Sequence, residues 1–466
     1  WHLYYAWTPW VLFFFDRASG CGERSAMSAP PVRWRDVVLC GACIAMMVYS
    51  GAIYPLPQTI VALAFWSVLL AVAYRTPRPV AVAVVSGLVS FGLSAPKLLP
   101  VLDEVRRYPR LVDSTETMDL HAFVVMFTSR DQGFASRPAP VSPYGWHEWG
   151  IYIGWAAFLA LLLAAILGRG RREGPLKAVG LLFVVLGFGA FHEYAPWTLF
   201  HQGPIFKSQH VPSRWLYPAT LLLAVVFAAL LERGMRRLRG ARPVAEAVLL
   251  ACVAWVAWDV AKVAQLPMAQ MFHSHMPTIE QRSTDFHTEA HVTGQYQYDG
   301  VSYGQATLPS EMANVGQVEC MIFPGLNIWA PKDEHGHVIG LGAKGRGDPA
   351  YRGEAYTASG KGKAELAVFT PNKMTVHVDD GVPGDLVVLN QNWDPGWRAD
   401  GAPVVDYRDA VATRIDRPNQ TFVFRYRPSY WWLSLAIFAL TATGIVFAFV
   451  RRRCGRLARL VRLRVF

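Results

Sequence analysis

The segment VVLCGACIAMMVYSGAIYPLPQTIVALAFWSVLLAVAY, Val37 to Tyr74, contains two long apolar runs with Pro55 and Pro57 between them. A helix needs roughly 20 mainly apolar residues to cross a bilayer. Proline ends a preceding helix because it has no N–H group and its ring clashes with the turn before it. The segment therefore predicts two membrane-spanning helices joined by a tight turn.

The same pattern recurs along the chain and predicts a polytopic α-helical membrane protein. The 466 residues are 53% hydrophobic and 17% charged, whereas soluble domains carry about 25% charged residues. The complete predicted spans are Val37–Tyr54, Leu56–Tyr74, Pro79–Val101, Trp149–Leu167, Ala178–Pro196, Trp215–Leu231, Val244–Ala264 and Tyr430–Val450. Trp1–Phe15 is typical of the second part of a further span and lacks the features of a signal peptide. We therefore expect the chain to be a C-terminal fragment of a longer protein.

Three basic segments predict the orientation in the membrane. They are Gly168–Lys177, Glu232–Pro243 and Arg451–Phe466. All three are short and adjoin predicted spans, as the positive-inside rule expects of cytoplasmic segments. This orientation puts Leu102–Glu148, Trp197–Arg214 and 265–427 on the outer side of the cytoplasmic membrane. Because the net charge of +11 is gathered beside the spans, it does not indicate nucleic acid binding.

The predicted domains follow from a change in composition after residue 264. Residues 1–264 form a membrane region of one partial and seven complete spans, with an exterior loop at 102–148. Residues 265–427 form an extracytoplasmic β-rich domain, inserted before a final span at 428–450 and a basic cytoplasmic tail at 451–466. Apolar and polar residues alternate in TFVFRY, Thr421–Tyr426, which is typical of a half-buried strand. Several such short strands predict a small sandwich-like domain.

Three motifs carry a resemblance to a known family. NWDPGWRADGAPV (Asn392–Val404) combines a Pro-Gly-Trp turn with an Asp-Gly turn, and a strand then leads into the last predicted span. LSAPKLLPVLDEVRRYPR (Leu93–Arg110) and GPIFKSQHVPSRWLYPATLLLAV (Gly203–Val225) precede it. In this order the motifs resemble those of the YfhO-like bacterial membrane proteins, over essentially the whole chain.

This family looks like the GT-C class of membrane glycosyltransferases, and the resemblance implies that reaction. The expected partners are membrane lipids, a polyprenyl-phosphate-linked sugar and an acceptor polymer of the bacterial cell envelope. No cofactor is implied, and a divalent cation is left open. The class carries its key acidic residue in the first exterior loop, which would precede Trp1, so we expect the catalytic base to lie outside this chain.

Four cationic or ionisable residues are candidates for binding the donor phosphate: Arg214, Lys207, His210 and Lys97. Arg214 opens a predicted span in HVPSRW, and arginine offers two parallel donors to a phosphate. Lys97 lies inside an apolar half-span, where a charge is costly and is usually paired or used. The alternative for Arg214 is a side chain that extends to the lipid headgroups.

Four further residues are candidates for moving a proton: His147, Glu148, His192 and Glu193. Carboxylates and histidines can accept the proton of an acceptor hydroxyl. These four lie at the predicted outer ends of two spans. Ordinary interface polarity explains them as well, and the sequence favours that alternative.

The candidates for contact with sugar or acceptor are Trp393, Trp397, Asp103 and Arg107. The two tryptophans could stack on a sugar ring. The favoured alternative for both is a structural role: they fill the core of a small β domain, which needs large side chains, or they lie at the membrane interface. A metal site at His273, His275, His287, Glu289 and His291 is disfavoured because the HExxH order is missing.

A different class of function remains open beside the enzyme. The chain could be a non-catalytic membrane scaffold that binds or hands on envelope glycolipids through its exterior domain. A transporter is the third possibility, and the unbroken spans with few buried charges give it little support.

Overall fold

The computed structural model describes residues 5–21, 32–107, 112, 114–132, 146–203, 205–238, 241–271, 286–289, 296–298, 301–303, 314–318, 341–370 and 372–464. The chain divides into two compact units. The helical unit comprises Trp1–Leu98, Val112–His273 and Leu433–Phe466, and the β unit comprises Leu99–Leu111 and Ser274–Trp432.

Helices dominate the first unit. They are α1 (Trp7–Ser19), α2 (Trp34–Ser50), α3 (Pro55–Tyr74), α4 (Arg78–Arg107), α5 (Leu120–Thr128), α6 (Trp146–Trp149), α7 (Gly154–Leu167), α8 (Glu173–Gly187), α9 (Pro196–His201), α10 (Leu216–Met235), α11 (Arg242–Met271) and α12 (Trp431–Arg464). Short 3₁₀ turns at Phe206–Ser208 and Pro212–Trp215 lead into α10. The last residues of α4 belong to the β unit.

Within the described residues, five helices are long and apolar enough to cross a membrane: Pro55–Tyr74, Arg78–Arg107, Pro212–Met235, Arg242–Gln265 and Trp431–Arg451. The shorter helix Gly154–Leu167 is also apolar. The prediction of a membrane-embedded helical protein agrees with these helices. The helices at three of the eight predicted spans are shorter than predicted, since α2, α7 and α8 have 17, 14 and 15 residues.

The ends of α2 and α3 follow from glycine and proline. Gly51 adopts a left-handed conformation with φ of 74° and ends α2, as glycine commonly does because it has no Cβ. Pro55 then begins α3, where a missing N–H costs nothing. The buried Cys40 and Cys43 belong to the apolar core of this unit. The tight turn predicted at the two prolines is therefore present.

The predicted span Ala178–Pro196 is wrong at its end. Helix α8 ends at Gly187, and Gly189 has a φ of 78°. The backbone then pairs with another segment, because Met118 donates to the Phe188 carbonyl at 3.0 Å and Ala190 donates to the Glu116 carbonyl at 3.0 Å. We call this pairing of 116–118 with 188–190 the β-clip.

Short strands form the β unit. They are β1 (His287–Glu289), β2 (Tyr296–Tyr298), β3 (Val301–Tyr303), β4 (Val315–Gln317), β5 (Ala355–Thr357), β6 (Lys363–Thr370), β7 (Lys373–Asp379), β8 (Leu386–Asn392), β9 (Trp397–Ala399), β10 (Val404–Tyr407), β11 (Ala410–Arg414) and β12 (Gln420–Tyr426). Two antiparallel four-stranded sheets have the orders β10-β11-β8-β5 and β6-β7-β12-β9. Two two-stranded pairs, β1-β4 and β2-β3, accompany them.

The two four-stranded sheets share one apolar core, as the sequence predicted for a sandwich. Val387 and Val411 from one sheet pack in the same cluster as Val376 and Phe422 from the other. The Asp400–Gly401 turn does not connect two strands of the same sheet. Strands β9 and β10 flank this turn and belong to different sheets, so the turn carries the chain from one layer of the sandwich to the other.

Helix α12 packs on α4 at Gly92. A Cβ at this position would lie 2.7 Å from Thr441 Cγ2 and 2.8 Å from its Cβ. Close approach at a small residue is a common way for membrane helices to associate. Gly87 in the same helix has nothing within 4 Å of the corresponding position, which makes it a matched control.

We expect Gly92→Ala to lower the free energy of unfolding by about 1–3 kcal/mol because the added methyl group overpacks the contact. Gly87→Ala should leave stability unchanged or raise it by up to about 1 kcal/mol, the ordinary helix preference of alanine. Thermal unfolding in detergent measures both. Thr441→Ala should restore part of the stability of Gly92→Ala, because it removes Cγ2 and keeps the Cβ. Equal effects of the two glycine substitutions would contradict the packing.

The β unit also contains a carboxylate whose titration affects its stability. Burial tends to raise the pKa of Asp385, but hydrogen bonds from the Ser359 hydroxyl at 2.5 Å and from the Leu386 and Ser359 amides outweigh it and lower the pKa. A lowered pKa in the folded state stabilises the protein above the unfolded pKa of about 3.9. This contribution is lost as the pH falls through the lower, folded value.

We therefore expect Asp385→Asn to lower the melting temperature most above about pH 4, the unfolded pKa region. The difference from the wild type should shrink toward zero as both proteins are taken to lower pH. Unfolding curves at a series of pH values in detergent measure this. A difference that stays constant between pH 6 and pH 3 would show that the ionised form of Asp385 has no special role.

Candidate functional site

Arg214 is the centre of the polar cluster in the helical unit. It lies in the Pro212–Trp215 turn that opens α10, and only 8% of it is exposed. Its guanidinium forms an ion pair with Glu148 of α6. The same guanidinium lies over the Tyr54 ring, 4.0 Å from the ring centroid. Burial, ion pairing and cation–π contact thus act together on one cation.

Two further tyrosines complete this cluster. The Tyr5 hydroxyl donates to Gln58 Oε1 at 2.7 Å and lies 3.5 Å from the Arg214 carbonyl. The Tyr217 hydroxyl donates to the Gly150 carbonyl at 3.1 Å, and its ring is 5.4 Å from that of Tyr5. The Arg214 cluster is defined here as Tyr5, Tyr54, Gln58, Glu148, Gln209, His210, Ser213, Arg214 and Tyr217.

Several buried polar atoms of this cluster have unused hydrogen-bonding capacity. Gln209 and Ser213 are each 1% exposed. Among the described residues, neither amide atom of Gln209 nor the Ser213 hydroxyl has a hydrogen-bond partner. Gln58 Nε2 is also buried without a hydrogen-bond partner among the described residues. Buried polar groups in native proteins are nearly always satisfied by protein, water or ligand, so this cluster is suited to a polar ligand.

The backbone just before Arg214 is strained. Val211 has φ of 57° and ψ of 72°, a left-handed conformation that is unfavourable for a β-branched residue. Such strain costs on the order of 1–3 kcal/mol and persists only where neighbouring groups hold it. The Val211 amide donates to Glu116 Oε1 at 3.4 Å. The other oxygen of Glu116 accepts from the Ser114 hydroxyl, which in turn accepts from Trp197 Nε1 at 3.1 Å.

The structure distributes the predicted phosphate ligands over different places. His210 is buried beside Tyr54, with ring centroids 6.0 Å apart. Lys207 has an exposed side chain, and its carbonyl accepts from the Val112 amide at 2.9 Å. Lys97 donates to the Tyr49 carbonyl at 2.8 Å, so its charge lies against the last turn of α2. Of the four candidates, Arg214 and His210 come together.

The predicted proton carriers are also separated. Glu148 is in the Arg214 cluster. His192 and Glu193 lie in the exposed turn after the β-clip, where His192 Nδ1 accepts from the Tyr194 amide at 3.1 Å. His147 belongs to α6, and its side chain lies outside the described residues. Glu148 is therefore the predicted carboxylate that faces a cation.

The predicted sugar contacts belong to the β unit. Trp397 is 6% exposed, lies in the sandwich core and packs on Tyr426 with ring centroids 5.3 Å apart, which favours the core role for it. Trp393 is half-buried and its amide donates to the Asp409 carbonyl at 2.7 Å. Arg107 pairs with Asp103 at 3.1 Å and with Asp394 at 2.7 Å. This interaction ties the end of α4 to the Asp-Pro-Gly turn.

Among the residues that the structure describes, no group of three or more histidine, cysteine or acidic side chains comes together as a metal site. His287 Nε2 lies 3.2 Å from Glu289 Oε1. The other histidines of the disfavoured metal motif, His273, His275 and His291, lie outside the described residues.

Comparisons of this chain with family models, curated proteins and solved structures gave no match. The YfhO-like resemblance therefore remains a prediction from the sequence motifs.

Sequence reasoning did not single out Tyr5, Tyr54, Gln58 and Glu116 as site residues. Gln58 carried a usable signal, because a polar amide within an apolar span is often functional. Glu116 was one of many charged residues in a long loop, and its burial depends on the β-clip. The aromatic residues carried no signal, since tyrosine is common at membrane interfaces.

The arrangement suits recognition of a phosphate by a guanidinium that is already oriented. Arginine binds phosphate through two parallel N–H donors, and a partly buried site strengthens such a contact. Glu148 holds the guanidinium in place through its ion pair. A phosphate bound here would compete with this carboxylate for the guanidinium.

We expect Glu148→Ala to lower the free energy of unfolding by about 3–5 kcal/mol, because it leaves the Arg214 charge buried without its carboxylate. Glu173→Ala is the control, since its partner Arg233 is 42% exposed; pairs of that kind are worth about 0–1 kcal/mol. Chemical unfolding in detergent measures both. The double substitution Arg214→Met with Glu148→Leu should recover most of the loss. Equal effects of the two alanine substitutions would contradict the burial of the Arg214 pair.

Proposed function

We propose that this protein is a membrane glycosyltransferase of the GT-C type, related to the YfhO-like proteins. It transfers a sugar from a polyprenyl phosphate to a hydroxyl of a cell-envelope polymer at the outer face of the bacterial cytoplasmic membrane. The observation that supports this most is the buried Arg214 guanidinium, at the start of a candidate span and beside a carboxylate. A polyprenyl chain would lie in the membrane and its phosphate at this level.

The chemistry assigned to the cluster is a displacement at the anomeric carbon. The bond between that carbon and the phosphate oxygen breaks, and the acceptor oxygen forms the new bond. Arg214 stabilises the charge that develops on the departing phosphate. The acceptor hydroxyl loses its proton to a carboxylate. The family resemblance implies a further acidic residue for this role, and within the cluster Glu148 is the candidate carboxylate. Gln58, Gln209 and Ser213 are suited to hydrogen bonds with the donor.

A non-catalytic glycolipid-binding scaffold is the second candidate. The Arg214–Glu148 pair favours it in one respect, since a carboxylate that stays engaged with arginine contributes to binding without accepting a proton. The two candidates share the phosphate contact and differ in whether a sugar is transferred.

Proteoliposomes supplied with radiolabelled polyprenyl-phosphate sugars test the proposal. We expect Arg214→Ala to reduce transfer by about 10²-fold or more, the usual effect of removing one donor to a developing anion. Arg214→Lys should retain an intermediate rate because it keeps the charge but loses the paired donors. Arg233→Ala removes an Arg–Glu pair near the other end of α10 and should leave transfer unchanged.

Three outcomes of this experiment are decisive. Selective loss in Arg214→Ala, at unchanged protein level and folding, supports the enzyme. Full transfer by Arg214→Ala overturns the role of the cluster. Binding of labelled donor without transfer by the wild-type protein favours the scaffold.

A further inference from the structure

Glu116 lies outside the Arg214 cluster and is connected to it through the backbone amide of Val211. It is 9% exposed, and it sits in the β-clip, where its carbonyl accepts from the Ala190 amide at 3.0 Å. A Cβ at Gly189 would lie 3.1 Å from the Glu116 carbonyl carbon. The backbone of Glu116 is therefore fixed against the end of α8, and its side chain starts from a defined position.

The Glu116 carboxylate is oriented by a chain of donors. Trp197 Nε1 donates to the Ser114 hydroxyl at 3.1 Å, and this hydroxyl donates to Glu116 Oε2. Trp197 itself is fully buried. The second carboxylate oxygen, Oε1, thereby faces the Val211 amide.

The conformation of Val211 determines the path of the backbone into the turn that carries Arg214. Val211 is left-handed, and its carbonyl accepts from the Arg214 amide at 3.1 Å. This hydrogen bond closes the turn that presents Arg214. If Val211 relaxed to an ordinary β conformation, which a valine prefers, the turn and the direction of the Arg214 side chain would change with it.

We infer that Glu116 is a positioning residue for Arg214: it holds the left-handed Val211 turn, and through this turn it directs the guanidinium toward Glu148 and the bound anion. The part of this inference that concerns the anion rests on the proposed function. The part that concerns the Arg214–Glu148 pair does not. Glu116 acts by accepting hydrogen bonds from Ser114 and Val211. This role requires neither contact with the ligand nor transfer of a proton.

A double-mutant cycle between Arg214 and Glu148 tests the inference without any lipid. The coupling is a difference between two quantities. The first is the loss of melting temperature in the double variant Arg214→Ala/Glu148→Ala, and the second is the sum of the losses in the two single variants. We expect strong coupling in the wild-type background. In a Glu116→Ala background it should fall toward zero, because Arg214 is no longer directed at Glu148. Unchanged coupling in Glu116→Ala would overturn the inference.

Two variants separate positioning from a direct role of the carboxylate. Glu116→Gln keeps an oxygen that can accept from the Val211 amide. It should therefore keep most of the coupling between Arg214 and Glu148 and most of the affinity for a polyprenyl-phosphate sugar. Glycine adopts the left-handed region without strain, so adding Glu116→Ala to Val211→Gly should change the coupling much less than adding it to the wild type. Loss of coupling in Glu116→Gln, or an undiminished effect in the Val211→Gly background, would contradict positioning through this turn.

Asp119→Ala is the matched control. Asp119 is a carboxylate of the same segment, and it accepts from the Ala122 amide at 2.6 Å to cap α5. Its loss should lower stability and leave the Arg214–Glu148 coupling intact. If Glu116→Ala does not fold, Ser114→Ala removes only the hydroxyl that orients Glu116, and it should reduce the coupling partially. No reduction in Ser114→Ala would then count against the inference.

Binding of a radiolabelled polyprenyl-phosphate sugar to the same variants, in detergent, links the turn to the anion. We expect the affinity to fall in Glu116→Ala and to be largely retained in Glu116→Gln. Absence of donor binding by the wild-type protein would refute the proposed function and leave the result of the coupling experiment standing. Donor binding that is equally strong in Glu116→Ala and in the wild type would refute the link between the turn and the anion.

Discussion

A guanidinium that is nine-tenths buried at the start of an apolar helix is the constraint on which the helical unit depends. Removing a charge from water costs several kcal/mol, and attraction to a partner offsets this cost only in good geometry. The chain meets the requirement with Glu148 on one side and the Tyr54 ring on the other. These partners come from α6 and from the turn between α2 and α3, so the charge determines how three distant segments meet.

The geometry of this charge is maintained by polar groups that do not touch it. The turn before Arg214 is in a conformation that its own sequence disfavours, because Val211 is β-branched and left-handed. The β-clip fixes the backbone of Glu116, and the Glu116 carboxylate accepts the hydrogen bond from the Val211 amide. Strain that is held from outside is common where a side chain has to be oriented in advance of its ligand. Arg214 fits this description, since Glu148 and the Tyr54 ring hold its side chain in one orientation.

The sequence predicted what depends on local composition, and it did not predict what depends on long-range pairing. Apolar runs predicted the helices, and Pro55 with Pro57 predicted the turn near which Tyr54 lies. Alternation gave the strands of the sandwich. The predicted end of the span at Pro196 was wrong because the apolar run continues past Gly187. The backbone leaves the helix there and pairs with residues 116–118. Glu116 was missed for the same reason, since its burial arises only from that pairing.

The Trp-rich turn shows how a family-like motif can be structural. Its residues are occupied within the β unit: Trp397 fills the sandwich core, and Asp394 accepts from the Gly396 amide at 2.6 Å while pairing with Arg107. Arg107 in turn pairs with Asp103 one turn earlier in α4. Removal of either Arg107 or Asp394 would break the ion pair that joins the end of α4 to this turn. The motif therefore fixes the end of α4 to the sandwich.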